Sequence, residues 1–203
     1  MQNVSPSLEQ LLAGLKSLSA TTFGAAAEQK LPPVDTWHPT LCGDIGLEIL
    51  RDGTWRHEGV RITRDSLVRL FASILRKDED GETYLVTPAE KVRVRVEDAA
   101  FLAVRADRAG EGVSQSIVFT TNVGDVVTAD TAHPIRVETD PETGEPRPYV
   151  LIRGRLEARI LRAPFLEIVG WSDERDGQHG VWSGGVWFAL EPPPLEGRGQ
   201  GAG

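Results

Sequence analysis

Residues 81–104 read Gly81-Glu82-Thr83-Tyr84-Leu85-Val86-Thr87-Pro88-Ala89-Glu90-Lys91-Val92-Arg93-Val94-Arg95-Val96-Glu97-Asp98-Ala99-Ala100-Phe101-Leu102-Ala103-Val104. Val92, Val94 and Val96 alternate with Arg93 and Arg95, the period of a strand with one buried face. A weaker echo runs over residues 144–169. At an offset of 64 residues the three valines fall on Leu156, Ala158 and Ile160, and Phe101 falls on Phe165. Gly81-Glu82 recurs as Gly144-Glu145, and Tyr84 as Tyr149. The pattern predicts an ancestral β unit present twice.

Working outward, residues 45–50 predict a strand, and Asp52-Gly53 predicts a type I′ hairpin turn back to Trp55 and His57. Leu67, Leu70, Phe71, Ile74 and Leu75 make the apolar stripe of a helix over residues 65–77, capped by Thr63 or Asp65, with Arg76-Lys77 suiting its C-terminal dipole. Pro32-Pro33 through Pro39 predicts an extended segment. Residues 106–112 predict a Gly/Asp/Arg loop between two halves, and residues 117–129 a hairpin around Val123-Gly124. Residues 155–161 predict a strand, 166–171 a helix or second strand, and 173–180 a polar loop. Ser7, Leu8, Gln10, Leu11, Leu12 and Leu15 predict a short amphipathic N-terminal helix with a capping box.

The expected fold is α+β: two small β-rich repeats packed together, plus an N-terminal helix. Residues 1–30 are that helix and a linker, 31–105 the first repeat, 106–191 the second, and 192–203 a Pro/Gly-rich disordered tail. A ligand groove is expected where the repeats join, since pockets favour such junctions.

Among 203 residues the formal net charge is −8. That opposes non-specific attraction to nucleic acid or to an anionic membrane. The one cysteine, Cys42, excludes an internal disulfide and a cysteine zinc cluster, and reads as a buried small hydrophobe. No apolar run approaches the ~20 residues that span a bilayer. Without a basic, signal-like N-terminus, the expected location is cytoplasmic.

Thr87-Pro88-Ala89-Glu90-Lys91 reads as a capping box opening one turn, Thr at the cap and Pro at the first helical position. The second copy lacks it, and that asymmetry marks it as a candidate site. Glu90 with Asp44 or Asp98 is a candidate carboxylate pair for acid–base work, although no spacing enforces it. His38, His57, His133 and His179 lack metal-ligand spacing, so no metal is expected. Residues 180–184 miss the nucleophile-elbow spacing by one position. No Walker or Gly-x-Gly-x-x-Gly motif occurs. Arg64, Arg136 and Arg153 can offer a planar fork to phosphate or carboxylate. With His133, Tyr149 and Lys91 they are expected to line a groove for an anionic small molecule. The five tryptophans read as core residues.

Taken together, Trp37-x-Pro39, Cys42-Gly43-Asp44-Ile45, Asp52-Gly53-Thr54-Trp55, Leu67-Val68-Arg69-Leu70-Phe71, Leu85-Val86-Thr87-Pro88-x-Glu90-Lys91, Val96-Glu97-Asp98-Ala99-x-Phe101, His133-Pro134-Ile135-Arg136 and Pro148-Tyr149-Val150 resemble a bacterial domain-of-unknown-function family, number 1285. Ala100 stands where that family usually has proline. The resemblance implies a duplicated α+β core, a second half superficially like pleckstrin-homology domains, a nucleotide-like ligand between the halves and a signalling role with a protein partner. It implies no catalytic residues and no cofactor. The expected function is therefore a cytoplasmic ligand-binding or sensor module contacting its ligand through Thr87, Glu90, Lys91, His133, Arg136 and Tyr149, with Arg64 and Arg153 as further candidates. The alternatives are a hydrolase or transferase using Glu90 or Asp98, and a protein-interaction module without a small ligand.

Overall fold

The computed structural model describes residues 31–191. The helix expected at 7–18 and the tail expected at 192–203 lie outside them. The described chain is mostly β-sheet with two α-helices, and it forms two six-stranded sheets and a smaller one of three strands. This is the α+β composition with two β-rich repeats. It divides into two compact units. The first runs to Leu102 and adds Asn122–Gly124 and Ile152–Glu157; the second takes Ala103–Thr121, Asp125–Leu151 and the chain from Ala158 onward.

In the first unit, β1 (Leu41–Ile49), β2 (Trp55–His57) and β3 (Val60–Arg61) form one antiparallel meander. Helix α1 (Asp65–Ser73) follows, and β4 (Leu75–Lys77), β5 (Thr83–Val86) and β6 (Lys91–Val96) form another. β1 and β6 pair in parallel at the centre, giving the order β3-β2-β1-β6-β5-β4. Ile45, Leu47 and Ile49 on β1 and Val92 and Val94 on β6 point inward, while Arg93 and Arg95 are exposed. Trp55 and Phe71 fill the core with ring centroids 6.0 Å apart. Each such side chain contributes about 1.5–3 kcal/mol through burial.

Four local expectations are corrected here. The helix ends at Ser73, and its apolar continuation, Leu75, is a strand residue paired with Leu85. Arg76-Lys77 therefore sit on β4 and serve no helix dipole. Residue Arg64 takes the N-cap without any side-chain cap bond, in place of Thr63 or Asp65. Thr87 to Lys91 opens no helical turn; it is the β5–β6 hairpin loop. Thr87 N donates to Glu90 O at 2.8 Å, and Glu90 N donates to Thr87 Oγ1 at 3.0 Å. The cap-like hydroxyl bond is present, but strand pairing on both sides wins. Finally, the proline segment is interrupted by a short 3-10 turn at Val34–Thr36.

The second sheet has the order β10-β11-β12-β7-β8-β9. Its strands are β7 (Phe101–Ala109), β8 (Ser116–Thr121), β9 (Val126–Thr128), β10 (Ile135–Thr139), β11 (Pro146–Arg153) and β12 (Leu156–Ile160). β7 runs through most of the expected 106–112 loop, because Ala106 is buried and Arg105, Asp107 and Arg108 pair with β8. Leu156, Ala158 and Ile160 point inward as Val92 and Val94 do. The echo stops there: Phe101 begins β7, whereas Phe165 lies in helix α2 (Arg162–Gly170). Pro164 in the first turn of α2 loses no helical bond.

The third sheet, β13 (Asp173–Arg175), β14 (Gln178–Ser183) and β15 (Val186–Ala189), replaces the expected polar loop. Asp176 and Gly177 have φ of 52° and 77° and join Arg175 to its pair partner Gln178, the two positive φ of a type I′ turn. Asp52-Gly53 does otherwise. Only Gly53 has positive φ, and Gly53 N donates to Leu50 O at 2.9 Å, closing a longer turn. Identical Asp-Gly pairs thus make different turns, because strand pairing resumes at different distances from them.

Candidate functional site

A cavity of about 720 Å³ lies within the first unit. One wall is the 3-10 turn with Val34, Asp35 and His38. A second is the end of β4 with the turn after it, Leu75 to Asp80. The third is the β11–β12 turn, Arg153-Gly154-Arg155-Leu156.

Arg76 assembles the first two walls. Its Nη1 donates to the carbonyls of Val34 and Trp37, both at 2.7 Å, and its Nε donates to Asp78 Oδ1 at 2.6 Å. A guanidinium can do this because its five donors fan out in one plane. Asp78 also receives Lys91 Nζ on Oδ2 at 2.5 Å. Burial pushes the Asp78 carboxyl up, but the bonds from Arg76 and Lys91 outweigh it and hold the group below the ordinary carboxylate value. Lys91 Nζ also lies 3.8 Å from the Tyr84 ring centroid. The Tyr84 hydroxyl donates to Asp80 Oδ2 at 2.7 Å, and that bond, with burial, raises the phenol's pKa and keeps it a neutral donor.

On the third wall, Arg153 Nη2 donates to the Ala72 carbonyl at 2.5 Å, and its guanidinium lies 4.8 Å from the Phe101 ring centroid. Arg155 Nη2 donates to Glu79 Oε1 at 3.1 Å in an exposed pair. The cavity's cations are Arg76, Lys77, Arg153 and Arg155. Asp35, Asp78, Glu79 and Asp80 face them. Three of those four carboxylates are already engaged by Arg76 and Lys91, Arg155, or Tyr84.

Of the residues expected to contact a ligand, Arg153 lines this cavity, and Lys91 supports it through Asp78. Thr87 and Glu90 close the β5–β6 loop against each other, with Thr87 buried. Arg64 is exposed ahead of α1. His133, Arg136 and Tyr149 belong to the second unit. There Nδ1 of His133 lies 3.0 Å from the Leu151 carbonyl, so Nδ1 carries the proton. Arg136 pairs with Glu138 and lies 4.3 Å from the centroid of Tyr149, its cross-strand partner. On the sequence, Lys77, Arg76, Asp78 and His38 gave no such signal. Lys77 and Arg76 resembled the basic end of a helix, and only the strand beginning at Leu75 turns them toward a cavity.

Among the described residues no cluster of three His, Cys, Asp or Glu side chains could hold a metal. No helix among them is long and apolar enough to cross a membrane.

Residues 32–99 match the model for the DUF1285 N-terminal domain, a domain of unknown function, and residues 100–190 match that for the DUF1285 C-terminal domain. A crystal structure of a DUF1285 family protein from Silicibacter pomeroyi is 44% identical, with a TM-score of 0.80 over 90% of this chain and 94% of that one. The chain belongs to the DUF1285 family. A second DUF1285 family protein, from Shewanella baltica, is 28% identical with a TM-score of 0.50, over 63% of this chain and 93% of that one. No curated protein matches the chain. The DUF1285 resemblance noted in the motifs is thus confirmed, for both halves and with bacterial relatives.

Proposed function

We propose that this DUF1285 protein is a ligand-binding sensor module that takes an anionic small molecule, with nucleotides among the candidates, into the cavity of its first unit. The observation that carries the reading is that cavity. At about 720 Å³ it falls in the ~300–1,000 Å³ range of small-molecule sites. Its four cationic side chains face carboxylates that are largely engaged already. The second unit is the signalling half of this reading, a pleckstrin-homology-like body in which a six-stranded sheet is followed by α2.

A thermal-shift screen with nucleotides and other small anions tests it. At a hundredfold excess over the dissociation constant, a ligand binding only the folded state stabilises it by about 2.7 kcal/mol. At least one anion should raise the melting temperature of the wild type, and raise it less in Arg155→Ala and His38→Ala, both exposed positions whose replacement leaves the core intact. A screen with no stabilising anion, or a shift equal in all three proteins, contradicts the reading.

A further inference from the structure

A second, smaller cavity of about 230 Å³ opens beside the first and lies within the same unit. Lys77, Arg155 and Leu156 line both, so they form the neck between the two. Leu156 is a buried apolar wall. Arg155 leans outward to the exposed Glu79, a weak pairing that a better anion can displace. Lys77 differs from both. It is half-buried, and its ammonium makes no hydrogen bond or ion pair with another described residue. Every other half-buried cation among the described residues has a partner. An ammonium with no acceptor among the described residues is available to an arriving anion without first breaking a pair.

The walls beyond the neck have the opposite character. Asp98, Glu157 and Glu82 bring carboxylates to the smaller cavity, and Thr83 a hydroxyl. Carboxylates repel a second anion, but each has about four acceptor sites and can take a hydroxyl hydrogen while keeping a protein partner. The two ends therefore ask for different parts of one molecule, an anionic group at the neck and hydroxyl donors beyond it.

We propose that Lys77 is the anion anchor of the site, and that its ligand is a phosphate ester of a polyhydroxyl ring. The phosphate sits at Lys77 and Arg155, and the ring hydroxyls donate to Asp98 and Glu157. A free sugar phosphate and the ribose phosphate of a nucleotide share this chemistry. The inference rests on the proposed function above, and it adds the ligand class and the residue that selects it.

Titration calorimetry of the full chain tests it, with glucose 6-phosphate, AMP, inorganic phosphate, glucose and adenosine as probes. Glucose 6-phosphate or AMP should bind wild type more tightly than inorganic phosphate does, and the unphosphorylated pair should not bind. Lys77→Ala should weaken binding about tenfold or more, Lys77→Arg should retain it, and Glu157→Gln should weaken the ester but not inorganic phosphate. Since Lys77 pairs with no other described residue, Lys77→Ala should melt close to wild type without ligand, which separates lost binding from lost folding. AMP binding that survives Lys77→Ala but fails in Arg155→Ala overturns this inference and leaves the proposed function standing. Inorganic phosphate binding as tightly as the esters overturns the polyhydroxyl ligand. Absence of binding by every probe overturns this inference. Only the wider anion screen can then overturn the proposed function as well.

Discussion

Asp78 holds Arg76 through both of its oxygens, Oδ1 to Nε at 2.6 Å and Oδ2 to Nη2 at 3.3 Å. Both side chains are mostly buried, at 20% and 15% exposure, as is Lys91 at 17%. Replacing Asp78 by Asn leaves two cations facing an uncharged partner. Breaking a fully buried pair costs ~3–5 kcal/mol, and partial exposure lowers that to about 2 kcal/mol. Asp78→Asn should melt ~4–8 °C lower than wild type by calorimetry.

The same carboxylate gives the protein an acid limit. The pKa of Asp78 is lowered in the fold, where burial raises it but Arg76 and Lys91 lower it further. The pKa of Asp52 is lowered chiefly by the Thr54 amide, and that of Asp140 chiefly by the Thr143 amide. A lowered folded-state pKa stabilises above the unfolded carboxylate value and is lost as pH falls through the folded value. These groups should leave urea midpoints flat between pH 7 and 5 and lower them below about pH 4. Asp78→Asn should show a shallower acid limb than wild type.

Ser183 is fully buried in the second unit. Its Oγ donates to the Ala129 carbonyl at 2.6 Å and accepts from Ile117 N at 2.8 Å. Ser183→Ala strands an amide away from water at a cost of about 1–3 kcal/mol. Chemical denaturation should show a lower midpoint with an unchanged slope.

At Gly180 an added methyl would lie 2.5 Å from the Trp187 ring and 2.6 Å from the Phe188 carbonyl. The ring can shift, but the carbonyl is fixed by pairing within the third sheet. Gly180→Ala should cost ~1–3 kcal/mol and disturb the edge-on Trp182–Trp187 pair, whose centroids are 5.4 Å apart. Near-ultraviolet circular dichroism reads that pair directly.

Much of the β architecture was legible because it rests on local alternation. Val92-Arg93-Val94-Arg95 gave β6, Leu156 to Ile160 gave β12, and the residues flanking Val123-Gly124 gave β8 and β9. What was lost depended on pairing between distant residues. β4 is only three residues long and was absorbed into the apolar stripe of α1. The β7 residues Ala106 to Arg108 fall in the stretch that reads as a Gly/Asp/Arg loop, yet β8 pairs with each of them. The candidate site suffered most, for its walls come from residues 34–38, 75–80 and 153–156. Arg153 was found because an arginine at a strand end is a local signal. Lys77 was missed because its place on the wall of both cavities arises only from the fold.

Hydrogen exchange by mass spectrometry, with and without saturating AMP or glucose 6-phosphate, tests ligand binding in the first unit most directly. Protection should rise over Leu75 to Asp80 and over Arg153 to Leu156, and at concentrations near the wild-type dissociation constant it should be largely lost in Lys77→Ala. Protection confined to other segments would contradict it, and unchanged exchange under saturating concentrations of both compounds would contradict the phosphate-ester ligand.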